Sequence, residues 1–266
     1  PGHHGERVVM RLLDRSGGLM ALDRLGLAED DAARLNRLAG MPNGIILATG
    51  PTGSGKTTTL YAALSKLNDR ERNLMTVEDP IEYAHSDCLA YINQREVGPH
   101  TLSFNNALRA ALREDPDAIL VGEMRDLETI SMALAAAEKG TIVFGTLHTN
   151  NASKTVDRII DVFPAEEKEM VRAMLSESLQ AVISQQLLPR AGAPGRCMAL
   201  EVLVPNVAIR NLIREAKVAQ MYSSIQTGNS LGMQTLDQNL ADLVRRNIVS
   251  PAEARAKAKF PENFPG

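Results

Sequence analysis

One stretch of the sequence has the residue types and the spacing needed to hold a phosphate chain. It runs from Gly50 to Thr57 and matches the P-loop pattern Gly-x-x-x-x-Gly-Lys-Ser/Thr in full, between an apolar run and helix-forming residues. The glycines let backbone N–H groups turn inward around phosphate oxygens at the positive end of a helix. Lys56 supplies a point charge to the β- and γ-phosphates, and the Thr57 hydroxyl is a ligand for Mg²⁺. The motif predicts a site for ATP and Mg²⁺, to which we assign Gly50, Thr52, Gly53, Ser54, Gly55, Lys56, Thr57 and Thr58.

Hydrolysis of ATP also requires a carboxylate that orients and deprotonates a water, at the end of a neighbouring strand. The apolar run 118–121 is followed by Gly122 and Glu123. Gly122 replaces the usual Walker B aspartate, so Mg²⁺ would depend on Thr57, the phosphates and water. Glu123 is therefore the predicted catalytic residue that polarises the attacking water.

Polar residues follow two further apolar runs. Glu78, Asp79 and Glu82 come after the run 74–77, and neighbouring carboxylates repel one another unless a cation is close. Two interpretations are open: these residues face the Mg²⁺–nucleotide, or they form a charged turn. His148 follows a fourth apolar run. A lone histidine is often structural, but ligands bind at the carboxyl ends of parallel strands, and this favours a role for His148 at the γ-phosphate.

These motifs lie at the ends of apolar runs that alternate with helical stretches. Such runs are typical of buried parallel strands, and the alternation predicts an α/β fold with a parallel-rich sheet covered on both faces. The predicted strands are 44–48, 74–77, 118–121, 142–144 and 199–204. The predicted helices begin near residue 29, cover about 56–67, 104–113 and 127–139, and include a long one after Pro164 with apolar residues from Val171 to Ile183 at helical spacing. Short helices should fill most of the remainder.

The composition limits the classes of protein that fit. No apolar run approaches the roughly 18 residues of a membrane span, and a net charge of -3 disfavours a nucleic-acid carrier. A local basic stripe could still lie within that balanced total. Cys88 and Cys197 have no metal-ligand spacing and are typical of reduced thiols in a cytosolic protein.

The four motifs, in this order and at these distances, resemble those of the secretion ATPase superfamily of type II secretion and type IV pilus systems. GPTGSGKTT (50–58) is similar to its Walker A motif, TVEDPIEY (76–83) to its Asp box, ILVGEMRD (119–126) to its Walker B motif and FGTLHTN (144–150) to its His box. The resemblance implies a RecA-like P-loop ATPase core in a hexameric ring, preceded by a PAS-like domain. HGERVVMRLLD (4–14) is similar to the last strand of that domain, so we expect a preceding portion to be missing.

This resemblance implies that the chain is divided into three parts. Residues 1–28 would be the end of the N-terminal domain and a linker, 29–190 the RecA-like core and 191–266 a mostly helical C-terminal subdomain. The second half is similar to the pilus-retraction branch, whose AIRNLIRE signature occurs at 208–215, and the paired CxxC motif of extension and secretion members is absent after Leu188. The implied function is ATP-driven retraction of type IV pili in twitching motility, on a platform protein at the inner face of the cytoplasmic membrane. The implied membrane association is peripheral, without nucleic acid.

By the same resemblance, Glu82 corresponds to a catalytic glutamate of the Asp box. The arginines that complete each site of the ring correspond to Arg11, Arg109 and Arg113, the last two predicted on one helix face. Two departures stand out: the front of the chain is more similar to extension and type II secretion members, and Thr141 replaces the first histidine of the His box. An extension or type II secretion ATPase, a DNA translocase and a regulatory module that binds ATP without hydrolysis are the alternatives.

Overall fold

A seven-stranded sheet forms the centre of the computed structural model, which describes residues 20, 22–27, 29–68, 71–85 and 90–265. The strands are β1 (Gly44–Thr49), β2 (Asn73–Glu78), β3 (Tyr91–Glu96), β4 (Ala118–Val121), β5 (Ile142–Leu147), β6 (Leu179–Pro189) and β7 (Arg196–Leu203). Their order across the sheet is β3-β2-β4-β5-β1-β6-β7. Strands β1 to β6 pair in parallel, and β7 is antiparallel to β6.

Helices cover both faces of this sheet. They are α1 (Glu29–Ala39), α2 (Lys56–Lys66), α3 (Phe104–Ala111), α4 (Leu127–Glu138), α5 (Ala152–Asp161), α6 (Lys168–Ser178), α7 (Val207–Arg214), α8 (Met221–Thr227), α9 (Leu236–Arg245) and α10 (Pro251–Lys257). Helices α1 and α2 pack on one face and α3 to α8 contribute to the core on the other. Helices α9 and α10 pack with the far ends of β6 and β7.

The central strands β1 and β4 are almost entirely apolar because both of their faces are covered. In β1, Ile45 and Leu47 pack with the α3–α8 side, whereas Ile46 and Ala48 pack with the α1–α2 side. Alternate residues of a strand point to opposite faces, so a strand that is buried on both sides carries apolar residues at most of its positions. The predicted α/β fold with a parallel-rich sheet is confirmed.

The prediction of one long helix from Pro164 to Ile183 is wrong beyond Ser178. Helix α6 ends there, and Leu179 begins β6, which lies between β1 and β7. Val182 faces one core and Ile183 the other. A segment that is apolar on both faces contains enough apolar residues to imitate a helical stripe, and pairing with β1 and β7 decides in favour of the strand.

Strand β3 was not predicted, because YINQRE is polar and forms an edge strand that is mostly half-buried. The predicted N-terminal part, 1–28, lies almost wholly outside the described residues. Residues 191–266 contribute β7 to the shared sheet and then α7 to α10. Cys197 is a buried free thiol, whereas Cys88 is outside the described residues. Within the described part of the chain, no helix has the length and apolarity required to cross a bilayer.

Candidate active site

A cleft of about 510 Å³ opens at the carboxyl ends of β1, β2, β4 and β5. All four sequence motifs contribute to it. The lining residues are Thr52, Gly53, Gly55, Lys56, Thr57, Thr58, Glu78, Asp79, Pro80, Glu82, Phe104, Gly122, Glu123, Arg125, Thr146, His148 and Leu187. Of the residues assigned to ATP, Gly50 and Ser54 are in the loop but do not line the cleft. Parallel pairing brings together residues as far apart in the sequence as Thr52 and His148.

The P-loop leaves β1 and enters α2 through two glycines whose backbone requires the absence of a side chain. Gly50 has φ 140 and Gly55, the residue before α2, has φ 86. A Cβ on Gly50 would lie 2.2 Å from the backbone oxygen of Gln185, which is much closer than van der Waals contact allows. Glycine at Gly50 therefore lets the loop lie directly against β6.

Lys56 is the first residue of α2 and is buried under the loop. Its Nζ donates hydrogen bonds to the backbone oxygens of Gly50 at 2.9 Å and Pro51 at 3.0 Å. Burial lowers the pKa of Lys56, and the carboxylates of Glu123 and Glu82 partly oppose that shift. A cation that has lost water gains strongly from an incoming anion, so this ammonium is suited to bind phosphate.

Glu123 projects from the end of β4 through Gly122. Its Oε2 lies 2.5 Å from Nη2 of Arg125, and its Oε1 lies 3.5 Å from Nε2 of His148. Burial raises the pKa of Glu123, but the hydrogen bond and charge of Arg125, followed by those of His148, outweigh it and leave the pKa lowered. Glu123 is therefore an anion at neutral pH and an acceptor within the cleft.

The acidic residues at the end of β2 and just after it are divided between two environments. Glu78 is buried and accepts hydrogen bonds from the hydroxyl of Tyr61 and, at 2.6 Å, from Oγ1 of Thr76. Burial raises the pKa of Glu78. Asp79 is exposed and Glu82 is half-buried, and both line the cleft. Glu78 also lines the cleft, but its carboxylate oxygens are engaged in this buried hydrogen-bond network.

His148 follows β5 directly, with a side chain that is 46% exposed. Thr141 precedes the same strand and is buried. A strand of this length separates its two ends by about 20 Å. The position that carries histidine in the resembled family is thus at the opposite end of β5 from the cleft.

The arginines assigned by resemblance lie away from this cleft within one chain. Arg109 is an exposed residue of α3 whose Nη2 lies 2.6 Å from Oε1 of Glu128. Arg113 is exposed in the turn after α3, so the prediction that the two share one helix face is wrong: α3 ends at Ala111. Among the described residues, neither arginine lines the cleft, and Arg11 lies outside them.

Two polar residues at this site were not predicted from the sequence. Arg125 pairs with Glu123, and its position two residues further on was the available signal. Gln185 of β6 is fully buried, and its Nε2 donates to the backbone oxygen of Ser54 at 2.7 Å. A buried polar residue within an apolar strand would have been informative, had residues 179–188 been predicted as a strand.

Known proteins are similar to this chain in sequence and in fold. A family model described as type II/IV secretion system protein matches residues 1–255. The type IV pilus retractation ATPase PilT of Pseudomonas aeruginosa is 59% identical over 247 residues, which are 92% of this chain and 70% of that protein. A twitching motility protein of Neisseria gonorrhoeae is 58% identical over 229 residues, 86% of this chain and 61% of that protein. A crystal structure of the pilus retraction motor PilT with bound ADP superposes with a TM-score of 0.84 at 47% identity and covers 93% of this chain and 69% of that one.

Proposed function

Because the chain belongs to the type II/IV secretion system protein family, we propose that it is the motor core of a hexameric ATPase that couples ATP hydrolysis to the retraction of type IV pili. The observation that carries the proposal is the meeting, in one cleft, of a P-loop with Lys56 and Thr57 and of an ionised carboxylate, Glu123, on the neighbouring side. A P-loop alone supports binding of a nucleotide. A carboxylate anion at the same cleft supports its hydrolysis.

Thr57 and the cleft carboxylates suit Mg²⁺. Mg²⁺ prefers hard oxygen ligands and keeps several waters, and Thr57 offers a hydroxyl in the same cleft as the carboxylates of Glu82 and Glu123. When bound, the ion would neutralise charge on the β- and γ-phosphates. Thr57 would hold it, while the backbone of Thr52, Gly53 and Gly55 and the first turn of α2 would hold the phosphates.

Glu123 would orient the attacking water. Its lowered pKa makes it a weak base but keeps it ionised, and phosphoryl transfer depends more on positioning and charge than on a strong base. Its partner Arg125 is 71% exposed. The exposed guanidinium of Arg125 can therefore exchange Glu123 for water when a nucleotide enters. His148 can hold the other carboxylate oxygen, and Glu82, which also lines the cleft, would support the site.

Arg109 and Arg113 would complete the site of a neighbouring subunit in the ring, and Arg11 would do so from the N-terminal side. Within the chain as described, Arg109 makes only an exposed pair with Glu128. An exposed arginine of this kind can reach another subunit without disturbing its own fold. Supplied in trans, it would stabilise the charge that develops on the γ-phosphoryl group.

The names of the similar proteins favour retraction over the other motor functions. The chain would act with a platform protein at the inner face of the cytoplasmic membrane, from the cytoplasm and with peripheral association only, and without nucleic acid. An extension or type II secretion ATPase is the alternative of the same class. A regulatory module that binds ATP without hydrolysis is the alternative of another class.

Phosphate release from ATP tests the proposal. Light scattering after size exclusion, in the same buffers, reports whether the hexamer has formed. We expect turnover that rises with hexamer formation and disappears in Glu123→Gln, which keeps the shape but removes the charge. Restoration of twitching in a strain that lacks its retraction motor would support retraction. Restored secretion or piliation would support the alternative motors instead. Tight ATP binding without turnover, even in assembled rings, would contradict the motor function and favour the regulatory module.

A further inference from the structure

Gln185 touches both ends of the P-loop from outside the cleft. Its buried Nε2 donates to the backbone oxygen of Ser54 at 2.7 Å. A Cβ on Gly50 would lie 2.2 Å from the backbone oxygen of Gln185. A Cβ on Gly55 would lie 3.3 Å from its Nε2. One residue of β6 thus contacts the loop at its first glycine, at its last glycine and at the peptide between Ser54 and Gly55.

The hydrogen bond from Gln185 sets the direction of that peptide. Among the described residues only Asp79–Pro80 is cis, so the Ser54–Gly55 peptide is trans. The C=O and N–H of a trans peptide point in opposite directions. Because the oxygen of Ser54 is held toward β6, the N–H of Gly55 points away from β6, toward the cleft that Gly55 lines. An N–H held in this direction is a donor for a phosphate oxygen.

Packing alone does not account for a glutamine at this position. Ile183 and Leu187, two residues away on either side and therefore on the same face of β6, are apolar. The Oε1 of Gln185 is buried and has no hydrogen-bond partner among the described residues. A methionine of similar size would fill the space without burying an unpaired acceptor, which is unfavourable. The bond to Ser54 is the contact that an apolar residue could not replace.

We propose that Gln185 is a positioning residue that holds the P-loop in its phosphate-binding conformation. It is not among the residues that line the cleft, so it acts on the nucleotide only through Ser54 and Gly55. The class of ligand, a nucleoside di- or triphosphate, is taken from the proposed function, on which this inference rests. Loss of the hydrogen bond between Gln185 and Ser54 should lower the affinity for nucleotide, because the free loop would have to be ordered when the nucleotide binds.

The test compares Gln185→Met with the matched control Gln186→Met. Gln186 is the next residue of β6, is half-buried and faces the other side of the sheet. The probe is a fluorescent ADP that carries an N-methylanthraniloyl group. Loss of one buried hydrogen bond should raise its Kd about tenfold in Gln185→Met. The control should bind as the wild type does. In ATP hydrolysis, KM for ATP should rise in Gln185→Met, whereas kcat should change much less.

A second variant, Gln185→Glu, separates positioning from packing. It keeps the shape of the side chain but has a donor toward Ser54 only when its carboxyl is protonated. Relative to wild type, its ADP affinity should therefore recover as pH falls, whereas that of Gln185→Met should not. An unchanged Kd in folded Gln185→Met would overturn the proposal, and so would a Gln185→Glu affinity without this recovery.

These outcomes are separable from failure of the proposed function. If the wild type binds the fluorescent ADP but releases no phosphate from ATP, the motor function fails and the role of Gln185 still stands or falls by its own Kd values. If the wild type binds neither nucleotide, both proposals fail.

Discussion

Substitution of Gly50 by alanine should destabilise the chain even without nucleotide. The added Cβ would lie 2.2 Å from the backbone oxygen of Gln185 and 2.7 Å from Oγ of Ser54. Separations near 3.5 Å are normal for such atoms, so the chain must shift by about 1 Å. The oxygen belongs to β6, which is held between β1 and β7 and cannot move freely.

The expected cost has two sources. Forced overpacking costs about 1–3 kcal/mol, and a φ of 140 costs an alanine about 1–3 kcal/mol more. Their sum of about 2–6 kcal/mol should lower the melting temperature by roughly 5–20 °C for a chain of this size. Nucleotide affinity should fall as well, because relief of the clash moves Gly50 away from β6.

The matched control is Gly192→Ala, in the loop between β6 and β7. Gly192 has a positive φ of 69, but a Cβ there would meet nothing within 4 Å. This variant therefore has the backbone strain without the clash, about 1–2 kcal/mol. Thermal melts of the wild type and both variants, followed by circular dichroism, are the measurement. If Gly50→Ala melts within about 2 °C of Gly192→Ala, the close contact with β6 does not exist.

Two further predictions concern buried and exposed charges. Glu201 is buried, and its Oε1 accepts a hydrogen bond from the N–H of Ala152 at 2.7 Å. In denaturant titrations, Glu201→Ala should lose about 2–4 kcal/mol of stability. Glu201→Gln keeps an acceptor and should lose less than half of that. Burial raises the pKa of Glu201 above 4.5, so the native state retains a proton that the unfolded state releases. The contribution of this group to the free energy of unfolding should therefore decline as pH rises from 4.5 in the wild type. Glu201→Gln should not show this decline. Arg109→Ala should melt like the wild type, because its exposed pair with Glu128 contributes less than about 1 kcal/mol. Its ATP hydrolysis should nevertheless fall by about 10³-fold or more if Arg109 acts across subunits; unchanged turnover in assembled rings would exclude that role.

The sequence alone determined the chemistry of the nucleotide cleft and the core of the fold. The P-loop and the apolar runs before Glu78, Glu123 and His148 identify residues at strand ends. In a parallel sheet those ends meet at one edge, so periodicity and motif spacing were enough to bring the motifs together. Strand β6 (Leu179–Pro189) could not be assigned in this way, because a segment buried on both faces has the same apolar pattern in a helix and in a strand.

Only the tertiary structure decided which polar residues have partners and on which side of the sheet they lie. It gave Glu78, which lines the cleft, the hydroxyl of the buried Tyr61 as a partner, a contact that the sequence did not predict. It placed Gln185 against Ser54, 131 residues earlier in the chain. Contacts of this kind depend on strand order and on the distance between backbones. Local spacing carries no information about either, since the sheet order β5-β1-β6 follows from packing of the whole chain.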